Sequence, residues 1–80
     1  MNYKIINLNQ LPLDIKGIIK SVKCEGNIKR RLLDIGMITG TNIIPVLKSP
    51  SGDPRAFIIR GSIIAIRSEE AEKIEVVVEI

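Results

Sequence analysis

Only one stretch of this chain, Asn27 to Thr41, carries a helical pattern, and everything else must fold around it as short strands. Ile28, Leu32 and Ile35 recur at spacings of four and three, which sets them on one helical face. Asn27 stands where a side-chain oxygen can accept from the unpaired amides of a first turn. Gly36 can take the left-handed conformation that ends a helix, and Gly40 then turns the chain into a strand. The spacing predicts about two and a half turns.

The charges on this helix oppose its dipole. Lys29, Arg30 and Arg31 crowd the positive first turn, and Asp34 sits in the negative last one. Each misplacement costs roughly 0.3–1 kcal/mol, less in salt. Two readings stand side by side. Arg30 and Arg31 pair with Asp34 at i+4 and i+3, or the basic cluster is kept for a partner.

Outside the helix the chain is built for sheet. Seventeen residues are Ile and five are Val, against six Leu and two aromatics, and β-branched side chains favour pleated strands. Strands are predicted at Tyr3–Leu8, Ile18–Lys23, Thr41–Leu47, Arg55–Arg60, Ser62–Arg67 and Ile74–Ile80. Pro45 has no N–H to donate, so its strand is expected at an edge or bulged. Gly61 marks a tight turn or a bulge, and Ser68 is placed to cap a single turn through Ala71. Ser49 to Pro54 is the clearest loop. Eighty residues make one domain, 1–80, with one small core. Five to six short strands and one short helix suggest a small closed barrel, which would leave few edges to aggregate.

Adjacent apolar pairs such as Ile18-Ile19, Ile43-Ile44, Ile58-Ile59 and Ile63-Ile64 exceed what strict alternation buries. Either twist and the helix cover both faces, or an exposed apolar patch binds another protein.

The inventory of reactive groups is short. The chain has no His, hence no imidazole base, no Ser-His or Cys-His pair and no His ligand. Cys24 is the single cysteine; beside Glu25 it makes no metal site and reads as a packed thiol. Glu69, Glu70 and Glu72 read as a solvated turn. Gly36 and Gly40 lack the Lys-Ser/Thr pair of a phosphate loop. A non-enzymatic protein without a cofactor is expected. The longest uncharged run, Ile35–Leu47, is too short to span a bilayer, and no secretory signal opens the chain; a soluble, cytoplasmic protein is expected. Residues 1–40 carry a balance of +4 and residues 41–80 one of −1, a bias suited to steering onto a charged protein surface.

Three segments in order carry a resemblance: Leu32-Leu33-Asp34-Ile35-Gly36-Met37-Ile38-Thr39-Gly40-Thr41, then Lys48-Ser49-Pro50-Ser51-Gly52-Asp53-Pro54, then Gly61 to Ala71 with Ile74 and Val76. Together they resemble the FeoA family, small cytosolic accessory proteins of bacterial ferrous iron uptake. The resemblance implies an SH3-like β-barrel with the helix packed on it. It also implies a partner, the FeoB-type iron permease, met at its cytosolic G domain or its membrane part. Only weak transition-metal binding is implied. Lys29-Arg30-Arg31 departs from the single Arg before Leu that the family pattern asks for.

On this reading the candidate partner-binding residues are Lys29, Arg30, Arg31, Leu33 and Met37, and Asn27, Leu32, Gly36 and Gly40 shape the motif. The alternative is a barrel that binds nucleic acid through Lys16, Lys20, Lys23 and the helix cations, or a regulatory domain related to iron-dependent repressors. Two aromatics give almost no stacking platform for single strands, and no DNA-binding helices precede the barrel, so nucleic acid is not expected.

Overall fold

A computed structural model describes residues 2–80. Six strands form: β1 (Tyr3–Asn7), β2 (Gly17–Val22), β3 (Asn42–Lys48), β4 (Arg55–Ile59), β5 (Ser62–Ile66) and β6 (Ile74–Glu79). Helix α1 (Gly26–Asp34) lies between β2 and β3, and a single-turn helix α2 (Ser68–Ala71) between β5 and β6. A 3-10 turn, Leu8–Gln10, follows β1. All strand pairs are antiparallel, in the order β1-β6-β2-β3-β4-β5.

The predicted strands are therefore present, with ends shifted by a residue or two. β3 is interior in the strand order, but β2 pairs only with Asn42 and Ile43, so at Pro45 the side away from β4 carries no strand, as a proline there requires. Its nitrogen and carbonyl face that open side, where the carbonyl accepts from the Asp14 amide at 2.8 Å, and a register shift against β4 follows between Pro45 and Leu47. β4 and β5 meet through Arg60 and Gly61, whose φ angles are 51° and 80°. Two positive φ values in a two-residue loop are the hairpin turn whose twist matches the strands.

The closed barrel is not formed. β1 and β5 end the strand order without pairing. The 3-10 turn occupies this region instead, with α2 packed against it, and side-chain bonds replace ladder bonds. The buried Arg55 guanidinium donates to the carbonyls of Asn9 (3.2 Å) and Leu11. It also lies 5.3 Å from the centre of the Phe57 ring, an electrostatic contact that helps hold a cation with no carboxylate beside it.

Leu8, Leu11, Ile19, Leu32, Ile43, Phe57, Ile59, Ile66, Ile74 and Val76 fill the core. In four of the adjacent pairs one member is buried or half-buried and its neighbour is less covered: Ile19 over Ile18, Ile43 over Ile44, Ile59 over Ile58, and Ile64 over Ile63. Twist covers most of the outer row, but Ile63 on β5 stays 68% exposed. Ser68 is the first residue of α2, not its cap: its N–H donates to Asp53 Oδ1 at 2.8 Å.

Candidate partner-binding surface

The end of α1 sets the direction of the chain beyond it. Gly36 has φ 103°. Its N–H donates to the Leu33 carbonyl at 3.0 Å, and the Met37 N–H donates to the Leu32 carbonyl at 2.9 Å. These two bonds make a complete Schellman stop. The chain then returns to β2: the Gly40 N–H donates to the Ile19 carbonyl at 2.8 Å, and Thr39 Oγ1 donates to the Lys20 carbonyl at 3.0 Å. Gly40, with φ 92°, turns it into β3.

The start of α1 differs from the expectation. Asn27 does not cap it. Gly26, with φ 64°, admits the chain two residues earlier, so Glu25 holds the cap position and Asn27 lies inside the first turn. Neither gives a side-chain cap bond. Leu32 is fully buried and Ile35 half-buried, but Ile28 is 44% exposed. The helix thus packs by its C-terminal half.

Of the candidate binding residues, Lys29, Arg30 and Arg31 are exposed and Leu33 is 41% exposed. Met37 is not on the surface. It has no accessible area and belongs to the core, because the Schellman turn points the residue after its glycine back under the helix. Neither arginine pairs with Asp34 among the described residues. Arg31 instead binds Glu70 of α2 at 2.8 Å, tying α1 to α2. Lys29 and Arg30 form no ion pair among the described residues.

Two residues outside the candidate partner-binding set, one of them named only for the nucleic-acid alternative, complete this surface. Lys20 on β2 and Ile38 after α1 line a groove of about 540 Å³ with Lys29, Leu33 and Thr39. Ile38 is 44% exposed. The alternation of β2 already placed Lys20 outward. Ile38 had no such signal, since it follows the chain reversal. The arrangement is an apolar floor with two lysines at its rim, suited to an apolar side chain carried next to an acid.

The other titratable groups are structural. Cys24 is buried and its Sγ faces the Glu70 carbonyl at 3.7 Å. Burial pushes its pKa up, with the nearby Glu70 charge adding to this. The Ser21 hydroxyl, 2.8 Å from Glu75, pulls that carboxylate's pKa down, with Lys23 at 3.5 Å assisting. Among the described residues no three His, Cys, Asp or Glu side chains gather where they could hold a metal ion. Among the described residues no helix is long and apolar enough to cross a membrane.

Comparison with known proteins agrees with this architecture. The chain is 31% identical over 71 residues to an Fe(2+) transport protein A/FeoB fusion protein of Porphyromonas gingivalis, a match covering 89% of this chain and 8% of the fusion. Its fold matches the FeoA-like protein of Clostridium acetobutylicum with a TM-score of 0.84 at 34% identity, covering 100% of this chain and 92% of that one. It also matches the zinc-complexed FeoA of Stenotrophomonas maltophilia, an SH3-domain protein, with a TM-score of 0.78 at 31% identity, covering 89% and 88%. The family model of the FeoA domain matches residues 6–78, and on that match the chain belongs to the FeoA family.

Proposed function

We propose that this chain is a non-enzymatic accessory module of ferrous iron uptake that docks on the cytosolic part of a FeoB-type permease and modulates it. The observation that carries the reading is the fusion in Porphyromonas gingivalis, where a segment like this chain shares one polypeptide with the transporter. Domains joined in one chain meet at high effective concentration, which favours a direct contact between them.

The start of α1 and the groove beside it supply the docking face. Lys29 and Lys20 provide unpaired cations around Leu33 and Ile38, with the exposed, unpaired Arg30 next to Lys29 in the first turn. An exposed cation cluster of this kind speeds encounter with an acidic surface, while apolar contacts set the lifetime of the complex. Arg31 has a different part, because its carboxylate partner is already within the chain. The module works in the cytoplasm, where the permease presents its G domain. A titration of the purified permease G domain against this chain tests the reading. Saturable binding that weakens with salt supports it, and no binding to either the G domain or the full permease refutes it.

A further inference from the structure

The two halves of α1 are held by different means. Leu32 is buried, and the Schellman bonds secure the end. From Glu25 to Arg31 every residue is exposed. Among the described residues, the Arg31–Glu70 bridge is the only side-chain bond that joins this stretch to another element. Local terms oppose the helix here. The cap position gives no side-chain bond and the first turn holds no acid, while Lys29 and Arg30 add charge near the positive end of the dipole. Gly26, at φ 64° with nothing within 4 Å of its Cβ position, supplies a hinge free of contacts.

A cleft of about 1100 Å³ lies between Ile28 and Arg31 on one side and Ala65 and Arg67 on the other. The start of the helix therefore overlooks open space, and the bridge crosses it. Its two partners are unlike: the Arg31 side chain is 60% exposed and the Glu70 side chain 14%. A carboxylate that well covered loses more than a surface one when its cation leaves.

We infer that residues 26–31 are a two-state segment, helical while Glu70 holds Arg31 and frayed when it does not, and that this latch governs how Lys29 and Arg30 are presented to an acidic partner. Glu70 is thus a positioning residue for a docking face it does not touch. Ile28 and Arg31 face the cleft from one side of α1, and Lys29 and Leu33 line the groove from the other. The coupling has a sign. A partner's carboxylates beside Lys29 and Arg30 offset the charge that opposes the dipole, so docking favours the helical state. By linkage, an acid that stabilises the latched helix also binds it more tightly than the frayed one. The presentation half of this inference rests on the docking reading; the latch itself does not.

Amide hydrogen exchange of the full chain, followed by NMR, tests both halves. The amides of Lys29, Arg30 and Arg31 close the first helical bonds and should exchange faster than that of Ile59 in β4. Dilute urea should leave their rates unchanged, because local fraying exposes little surface, and should speed Ile59 as global unfolding does. Glu70→Gln and Arg31→Gln should each speed the three amides about fivefold, the upper worth of a bridge with one exposed partner. The double variant should be no faster than either single one. Hexaglutamate peptide at low salt is the acidic probe, so no arm depends on a permease. It should shift the Lys29 and Arg30 signals and slow exchange of the three amides, and high salt should abolish both effects. Equal rates in the parent chain and Glu70→Gln, or a urea dependence matching that of Ile59, would overturn the latch. Peptide that leaves Lys29 and Arg30 unshifted, or shifts them without slowing exchange, would overturn the coupling. Faster exchange with peptide would do the same, since the acid would then be taking Arg31 from Glu70. The permease reading fails by a separate route, the G-domain titration, which none of these arms uses.

Discussion

Replacing Gly36 by alanine tests the stop that sets the path from α1 into β3. Gly36 has φ 103°, and a Cβ built there falls 2.3 Å from the Arg60 Cδ. Gly40, with φ 92°, has nothing within 4 Å of its Cβ position. Gly40→Ala therefore measures the backbone term alone, about 1–2 kcal/mol for an L-residue forced to positive φ. Gly36→Ala adds displacement of the Arg60 stem, about 0.5–1.5 kcal/mol for an off-rotamer side chain. The sum is about 1.5–3.5 kcal/mol, and each kcal/mol lowers Tm by about 4–8 °C in a domain of this size. Thermal and urea melts of both variants give the difference directly. The cycle with Arg60→Asn isolates the clash: Gly36→Ala in that background should cost no more than Gly40→Ala. If Gly36→Ala stays within about 0.5 kcal/mol of the parent chain, or if Arg60→Asn relieves nothing, the assignment of strain at this stop is wrong.

Other outcomes follow from burial and charge. Met37→Ala should cost about 2–5 kcal/mol in urea melts, as a core cavity does, whereas the half-exposed Leu33→Ala should cost well under half of that. Glu75 has its pKa lowered in the folded state, so its contribution is complete above the ordinary carboxylate pKa and is lost as pH falls through the folded value. Ser21→Ala should therefore lower stability by a constant amount at neutral pH and above and flatten the acid limb of a stability-against-pH curve, so that the two curves converge at low pH. Burial raises the Cys24 pKa and keeps the thiol protonated near neutral pH. A maleimide should thus label it slowly in the folded chain and rapidly in urea.

Much of the fold is written locally. The glycines at 36 and 40 declare the end of the helix and the start of β3, and both take positive φ. The β-branched runs place all six strands, and Pro45 announces the bulge at its own position. What escaped the sequence reading depends on distant or reversed segments. One of the two readings paired Arg31 with Asp34 one turn away, yet its partner Glu70 is 39 residues on. Met37 lies just past a chain reversal, where helical spacing no longer says which way a side chain points, and it turned inward. The start of α1 moved because Gly26 makes the turn that Asn27 was expected to cap. Barrel closure depends on whether two edge strands meet. No local pattern encodes that, and here a 3-10 turn and the buried Arg55 occupy the region between them. At the docking face Lys29, Arg30 and Leu33 were visible in the sequence as an exposed basic start with an apolar neighbour. The sequence grouped Lys20 with the helix cations only on the nucleic-acid alternative, and Ile38 joined them only through the fold.

The central claim is that the basic start of α1 serves binding and not stability. Glutamate is a good helix former and complements the dipole in a first turn, so Lys29→Glu/Arg30→Glu should leave Tm unchanged or raise it. Arg31→Glu is the contrasting variant: it breaks the bridge to Glu70 and should lower Tm. The deciding measurement is the association rate of the double variant with the purified G domain of a FeoB-type permease, at low and high salt. The account predicts a folded variant whose on-rate falls at low salt and loses its salt dependence. An on-rate and salt dependence equal to those of the parent chain would contradict it, and would make Lys29 and Arg30 a solvated helix end.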